Sequence, residues 1–386
     1  MFLALRELKF ARGRFSLMGL VIGLIAVLMV LLSGLSAGLV NDGVSGLKAQ
    51  PASAVAFDEG TRTDNAYSRS VVEPDQLTAW QEQPGVAAAE PMGVSIMNAE
   101  IDGGGQIDLT LFGVPPQSFL EPERSSGEAL GEPGGIVVSE PAQEEGLEIG
   151  SVVRLDQIDT ELEVVGFTDG QATFGHVDIA YLPLETWQLT VSGQAPEGPV
   201  TDSDLSALDF DQASVVMVQG EEGSDLAAGS SEALAAADAE AGTTAMTLEE
   251  SFNASPGYQA ETLTLSMIQW FLYAIGALVV GAFFTVWTIQ RKHELAVLRA
   301  LGASSRYLLR DGLAQAAILL VAFTALGVAA GVAFGGLMPE GMPFALEFQP
   351  IAAASALTIL LGLLGAAVAI LRVTRIEPIS ALGGNR

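Results

Sequence analysis

Four stretches of this 386-residue chain contain no Asp, Glu, Lys or Arg: residues 15–41, 262–290, 312–339 and 348–371. Each is 24 residues or longer. Roughly 20 apolar residues, rising about 1.5 Å apiece, cross the hydrocarbon layer of a bilayer. A buried core helix can imitate one such run but hardly four in one chain. The expected fold class is therefore membrane α-helical, with four transmembrane helices.

Orientation is read from Lys and Arg near the span ends. Arg6, Lys9, Arg12 and Arg14 precede the first span. Arg291, Lys292, Arg299, Arg306 and Arg310 follow the second, and Arg372, Arg375 and Arg386 follow the fourth. These make up 12 of the 17 basic residues. Residues 42–261 hold five basic residues against 40 acidic ones, a net of −35. The termini and the 291–311 loop are expected in the cytoplasm and the acidic segment outside, in a multi-pass protein of the plasma or inner membrane. The first span is longer than the apolar core of a signal peptide, about 7–15 residues, so a retained helix is favoured over a cleaved leader.

The boundaries expected are an N-terminal entry helix 1–14, span 15–41, extracytoplasmic domain and stalk 42–261, span 262–290, cytoplasmic coupling loop 291–311, span 312–339, outer loop 340–347, span 348–371 and tail 372–386. Short β-branched runs bounded by Gly, Pro and Asp (136–138, 152–155, 161–167, 177–181, 215–218) predict strands, and 75–83 a short helix. Residues 121–135, 192–204 and 220–242 read as loops, the last alternatively as a frayed helix. The result is a large α+β extracytoplasmic domain between helices 1 and 2. Its acidity could suit cationic partners, but plain solubility or adaptation to salt is the favoured reading.

Nothing in the sequence points to an active site. None of Lys9, Lys48 and Lys292 lies in a Gly-rich phosphate loop, so phosphate cradling by such a loop is not available to this chain. His176 and His293 are expected on opposite sides of the membrane, and Cys is absent. No intrinsic metal, resident cofactor or nucleic-acid partner is expected. In the 291–311 loop, Leu295, Leu298 and Leu301 recur at helical spacing beside Val297. Gly302 is placed to end that helix, and Ser304 or Ser305 to cap the next. The pattern fits a helix on which a motor pushes, and equally an ordinary interfacial helix.

The run Glu-Leu-Ala-Val-Leu-Arg-Ala-Leu-Gly-Ala-Ser at 294–304 resembles the signature of FtsX-like permeases, the membrane subunits of MacB-type (type VII) ABC transporters. Residues 4–15 resemble that family's entry helix, and 372–382, with Arg375, Pro378, Ala381 and Leu382, its C-terminal motif. Residues 135–186 are similar to its periplasmic core. The resemblance implies a homodimeric or heterodimeric permease, with the homodimer favoured, bound by two copies of a separate ABC ATPase that holds the ATP and hydrolyses it. It also implies that 294–302 is the coupling helix: Glu294 and Arg299 make polar contacts to the ATPase, Leu295 and Leu298 fill its groove, and Gly302 ends it.

Residues 256–264 with 267–268 and 281–290 resemble the HrtB/DevC subgroup, whose HrtB members export haem in Gram-positive bacteria. That makes haem, or a similar hydrophobic compound, the expected substrate. Iron is held by Met, His, Tyr or a carboxylate. Candidate substrate-binding residues are Met29 in the first span and Glu249, Glu250, Tyr258 and Glu261 near the second. Of these Met29, Glu249 and Tyr258 are candidate haem-iron ligands. Each also has a plain reading: a packing Met, an interfacial aromatic anchor, solvated carboxylates. Other readings are mechanotransmission to a cell-wall hydrolase and export of lipoproteins, glycolipids or antimicrobial peptides.

Overall fold

The computed structural model describes residues 12–291, 294, 297, 301–339 and 342–374. The chain divides into two compact units, Met1–Leu39 with Thr262–Arg386, and Val40–Glu261.

Among the described residues, the first unit has four helices with an apolar stretch long enough to cross a bilayer: α1 (Arg12–Lys48), whose last turns belong to the second unit, and three later helices. Phe15, Met18 and Ile22 of α1 share one buried cluster with residues from all three others. Small residues let these helices approach closely, as bilayer packing requires. Gly327 faces the Gly23 carbonyl, and Gly365 faces the backbone of Ala277. The third of the four begins at Ser305, ahead of the uncharged run, so Arg306, Arg310 and Asp311 occupy its first turns. It ends at Gly335, short of Pro339.

The second unit is α+β. Its elements are β1 (Ala54–Asp58), α2 (Pro74–Gln81), β2 (Val86–Ile101), β3 (Gly105–Val114), β4 (Arg124–Gly127), β5 (Gly135–Val138), β6 (Val152–Leu155), β7 (Thr160–Thr168) and β8 (Thr173–Phe174). There follow β9 (Val177–Pro183), α3 (Leu184–Ser192), β10 (Gly198–Pro199), α4 (Asp202–Ala207), β11 (Val215–Gly220), α5 (Ser231–Ala241), β12 (Thr243–Thr247) and α6 (Leu248–Ser251). The helices completing the bundle are α7 (Tyr258–Gln290), α8 (Ser305–Gly335) and α9 (Phe348–Thr374).

The strands run in the order β10-β7-β5-β9-β3-β2-β11-β1-β12, with β4, β6 and β8 off that path. The long β2 joins two parts of the sheet: residues 86–92 pair with β11, and 93–101 with β3. Period-two alternation sorts side chains between cores. In β1, Ala54 and Ala56 pack with Trp80 of α2 and Leu234 of α5, whereas Val55 and Phe57 enter a second core. That second core also receives Val44 and Leu47 from the end of α1. In β9, Ile179 and Tyr181 face it while Ala180 and Leu182 face a third, formed with β3, β5 and α3. An edge-to-face chain Phe57–Tyr67–Phe174–Phe112–Tyr181, with centroids 5.1–5.6 Å apart, runs through the second core.

All three stretches read as loops carry some regular structure, 192–204 holding β10 and the start of α4. Residues 124–127 pair with β7. Half of 220–242 is α5, which buries Leu234, Ala237 and Ala241 on one stripe between Ser230 and the left-handed Gly242. The alternative reading of this Ala-rich tract as a helix is the one observed for that half, and packing against the sheet stabilises it.

Candidate functional site

The candidates near the second span lie on one folded segment. Thr247 caps α6: its hydroxyl accepts the Glu250 N–H at 3.2 Å, and the Glu250 carboxylate accepts the Thr247 N–H at 3.1 Å and O–H at 2.9 Å. Glu250 is thus committed to a local structural role. Glu249, beside it, is exposed. The chain then turns through Gly257, whose φ of +75° favours glycine, and α7 opens with Tyr258. The Tyr258 ring packs edge-on against Phe252 at 6.2 Å.

Glu261, one turn further on, meets a residue that the sequence did not single out as a site. Both its carboxylate oxygens lie 3.1 Å from His176 Nε2, and His176 Nδ1 lies 2.8 Å from Asp42 Oδ2 near the end of α1. Burial works against the charged ring, but the hydrogen bond to Asp42 and the charge of Glu261 outweigh it. His176 accordingly titrates above the ordinary imidazole value. The two carboxylates occupy opposite ring nitrogens, so one ion could not reach all three groups. Among the described residues, no cluster of His, Cys, Asp or Glu is arranged to hold a metal. Neighbouring Asp178 is pushed up, chiefly by burial, with smaller effects of Glu145 and Asp42 in the same direction.

Met29 belongs to the bundle unit. It is buried with Ile25 of α1 and Tyr273 of α7, with Leu357 and Leu361 of α9 packed alongside. A thioether there is a packing group in this conformation.

In the connector after α7, Arg291 is the anchor. Its guanidinium stacks over the Trp287 ring at 4.7 Å from the centroid and its Nε donates to Glu294 at 2.9 Å. Glu294 and Val297 are exposed. Gly302 has a φ of +97°, the left-handed conformation of a helix-ending glycine, and Ser304 caps α8 by accepting the Tyr307 N–H at 3.3 Å. Leu295, Leu298 and Arg299 lie outside the described residues, as do the entry motif of residues 4–11 and the tail motif from residue 375.

Comparison with known proteins gives the family. Residues 15–236 match the MacB-like periplasmic core domain, and residues 266–378 the FtsX-like permease C-terminal domain. The chain is 24% identical, over 100% of its length and 99% of the relative's, to a protein of Staphylococcus epidermidis named hemin transport system permease protein HrtB. It is 22% identical, over 100% and 99%, to an uncharacterized ABC transporter permease of Mycobacterium tuberculosis. Among solved structures, the periplasmic region of MacB from Actinobacillus actinomycetemcomitans matches with a TM-score of 0.38 and 13% identity, over 52% of this chain and 91% of that one. The extracellular domain of YknZ matches at 0.35 and 15%, over 50% and 98%. The first domain match alone covers more than half of the sequence, and the protein belongs to the FtsX-like, MacB-type family of ABC transporter permeases.

Proposed function

We propose that this permease exports haem, or a similar flat hydrophobic compound, from the membrane, driven by two copies of a separate ABC ATPase acting on a permease homodimer. The observation that carries this reading is the end-to-end similarity to a permease named for hemin transport. The distribution of basic residues supports a cytoplasmic connector and an extracytoplasmic acidic domain. The ATPase would then press on the 294–302 helix, with Glu294, Leu295, Leu298 and Arg299 at the contact and Gly302 at its end. The Arg291–Trp287 stack ties that contact to α7.

Haem partitions into a bilayer, so a site reached sideways from lipid needs no hydrophilic path. Met29, Glu249, Glu250, Tyr258 and Glu261 are the proposed substrate-binding residues, with Met29, Glu249 and Tyr258 as the proposed iron ligands and Met29 and Glu249 the first to test. The acidic domain would repel the haem propionates after release.

The test is haem tolerance. Cells expressing the permease with its ATPase should survive haem concentrations that kill the deletion strain. Equal sensitivity of the two strains removes haem as the substrate. Ligation is read separately, from the absorption spectrum of haem-loaded protein. Met29→Ala and Glu249→Ala should each shift it, and spectra unaltered in both variants would exclude that ligand pair.

A further inference from the structure

Gly175 and His176 are the two central residues of the β8–β9 hairpin, in which Phe174 pairs with Val177. Their φ values of +62° and +64° are those of a mirror-image (type I′) turn, a backbone that a non-glycine residue seldom adopts. The turn is fastened to the end of α1 by several contacts. Gly175 N–H donates to the Gly43 carbonyl at 2.8 Å, Thr173 N–H donates to Ser45 Oγ at 2.8 Å, and Gln171 Nε2 donates to Asp42 Oδ1 at 2.9 Å. Helical geometry is interrupted there, at Val44 (φ −147°, ψ 18°). On its other side, Phe174 is anchored in the aromatic chain.

The His176 ring therefore projects from a fixed turn between two carboxylates, Asp42 on α1 and Glu261 on α7. A neutral imidazole has one N–H and one lone pair. Only the imidazolium donates to both carboxylates at once; without its second proton, one nitrogen presents a lone pair to an anion about 3 Å away. Asp42 also accepts from Gln171, which holds it when the ring contact weakens.

We propose that the Gly175-His176 turn is a proton-operated latch joining the end of α1 to the start of α7, closed while His176 is an imidazolium and opened at Glu261 when the ring loses a proton. The other titratable groups close by are Asp178 on β9 and Tyr258 on α7, with Glu145 acting on Asp178. All are acids, so any that ionise favour the closed form. Both helices continue into the bundle unit, so the proton sets how freely their domain-side ends separate. This holds whatever compound is transported.

The chain itself simplifies the test. It has two histidines and no cysteine. With His293→Gln, nitrogen NMR of the full chain in lipid nanodiscs reads His176 alone. We expect both ring nitrogens protonated at about pH 6, with a midpoint above the ordinary value of about 6.5. Asp42→Asn and Glu261→Gln should each lower it by about one pH unit, a tenfold loss of proton affinity. Spin labels at Ala49→Cys and Ala260→Cys should give one narrow distance distribution at about pH 6 and a broader, longer one at about pH 9, and His176→Gln should give the broad one at both. A midpoint at or below about 6.5 in the otherwise unaltered chain, or label distances unchanged across this range, overturns the proposal. Both readings are available without the carboxylate variants, should those fail to fold.

Discussion

Thr247 and Glu250 cap one another at the start of α6, so neither is free to be a simple probe of substrate binding. Thr247→Ala removes the cap and should lower the stability of the full chain by about 1 kcal/mol, read as a lower melting temperature. Glu249 makes no such bond to Thr247, which leaves Glu249→Ala as the cleaner test of ligation. Phe174 is fully buried between Tyr67 and Phe112. Phe174→Ala should cost about 3–5 kcal/mol and release the hairpin turn along with its core. His176 carries a sign of its own. Its folded-state value lies above the ordinary imidazole value, so its stabilisation is complete below about pH 6.5 and is lost as pH rises through the raised value. Melting temperatures measured across that window should fall towards alkaline pH, and His176→Gln should remove the part of the slope due to this residue.

At the scale of elements, β2 and β3 make a slot for one side chain. Gly93 and Gly113 face each other across the pair, and the Trp187 ring of α3 fills the space a Cβ at either would need, while its Nε1 donates to Ser95 at 3.0 Å. Gly93→Val should push the indole off the sheet and cost about 1–3 kcal/mol, seen as a lower melting temperature and altered tryptophan emission. In the bundle, Gly365 meets the backbone of Ala277, which cannot move aside as a side chain can. Gly365→Leu should therefore reduce the yield of folded protein from membranes.

Such slots explain what the sequence hides. The strands of β5, β6, β7, β9 and β11 were legible as compact β-branched runs. β2, the longest strand, was not: it is rich in Ala and carries Pro91 and Gly93, residues that ordinarily argue against a strand interior. Pro91 lies where β2 pairs with β11, opposite Val216, and Gly93 is required by the indole.

At the scale of the whole molecule, the four spans were legible because freedom from charge over 24 or more residues is a compositional property that needs no tertiary information. The family was legible in the connector, because its motif is one contiguous run of residues. The His176 contacts were not, since they join positions 134 and 85 residues apart and depend on where a hairpin turn comes to rest.

Reconstitution tests the transport reading most directly. The permease and its ATPase, placed together in liposomes loaded with haem, should remove haem from the membrane only when ATP is supplied, and Leu298→Asp in the connector should abolish that removal while the permease remains folded. Haem content that falls equally with and without ATP would contradict haem export by this protein.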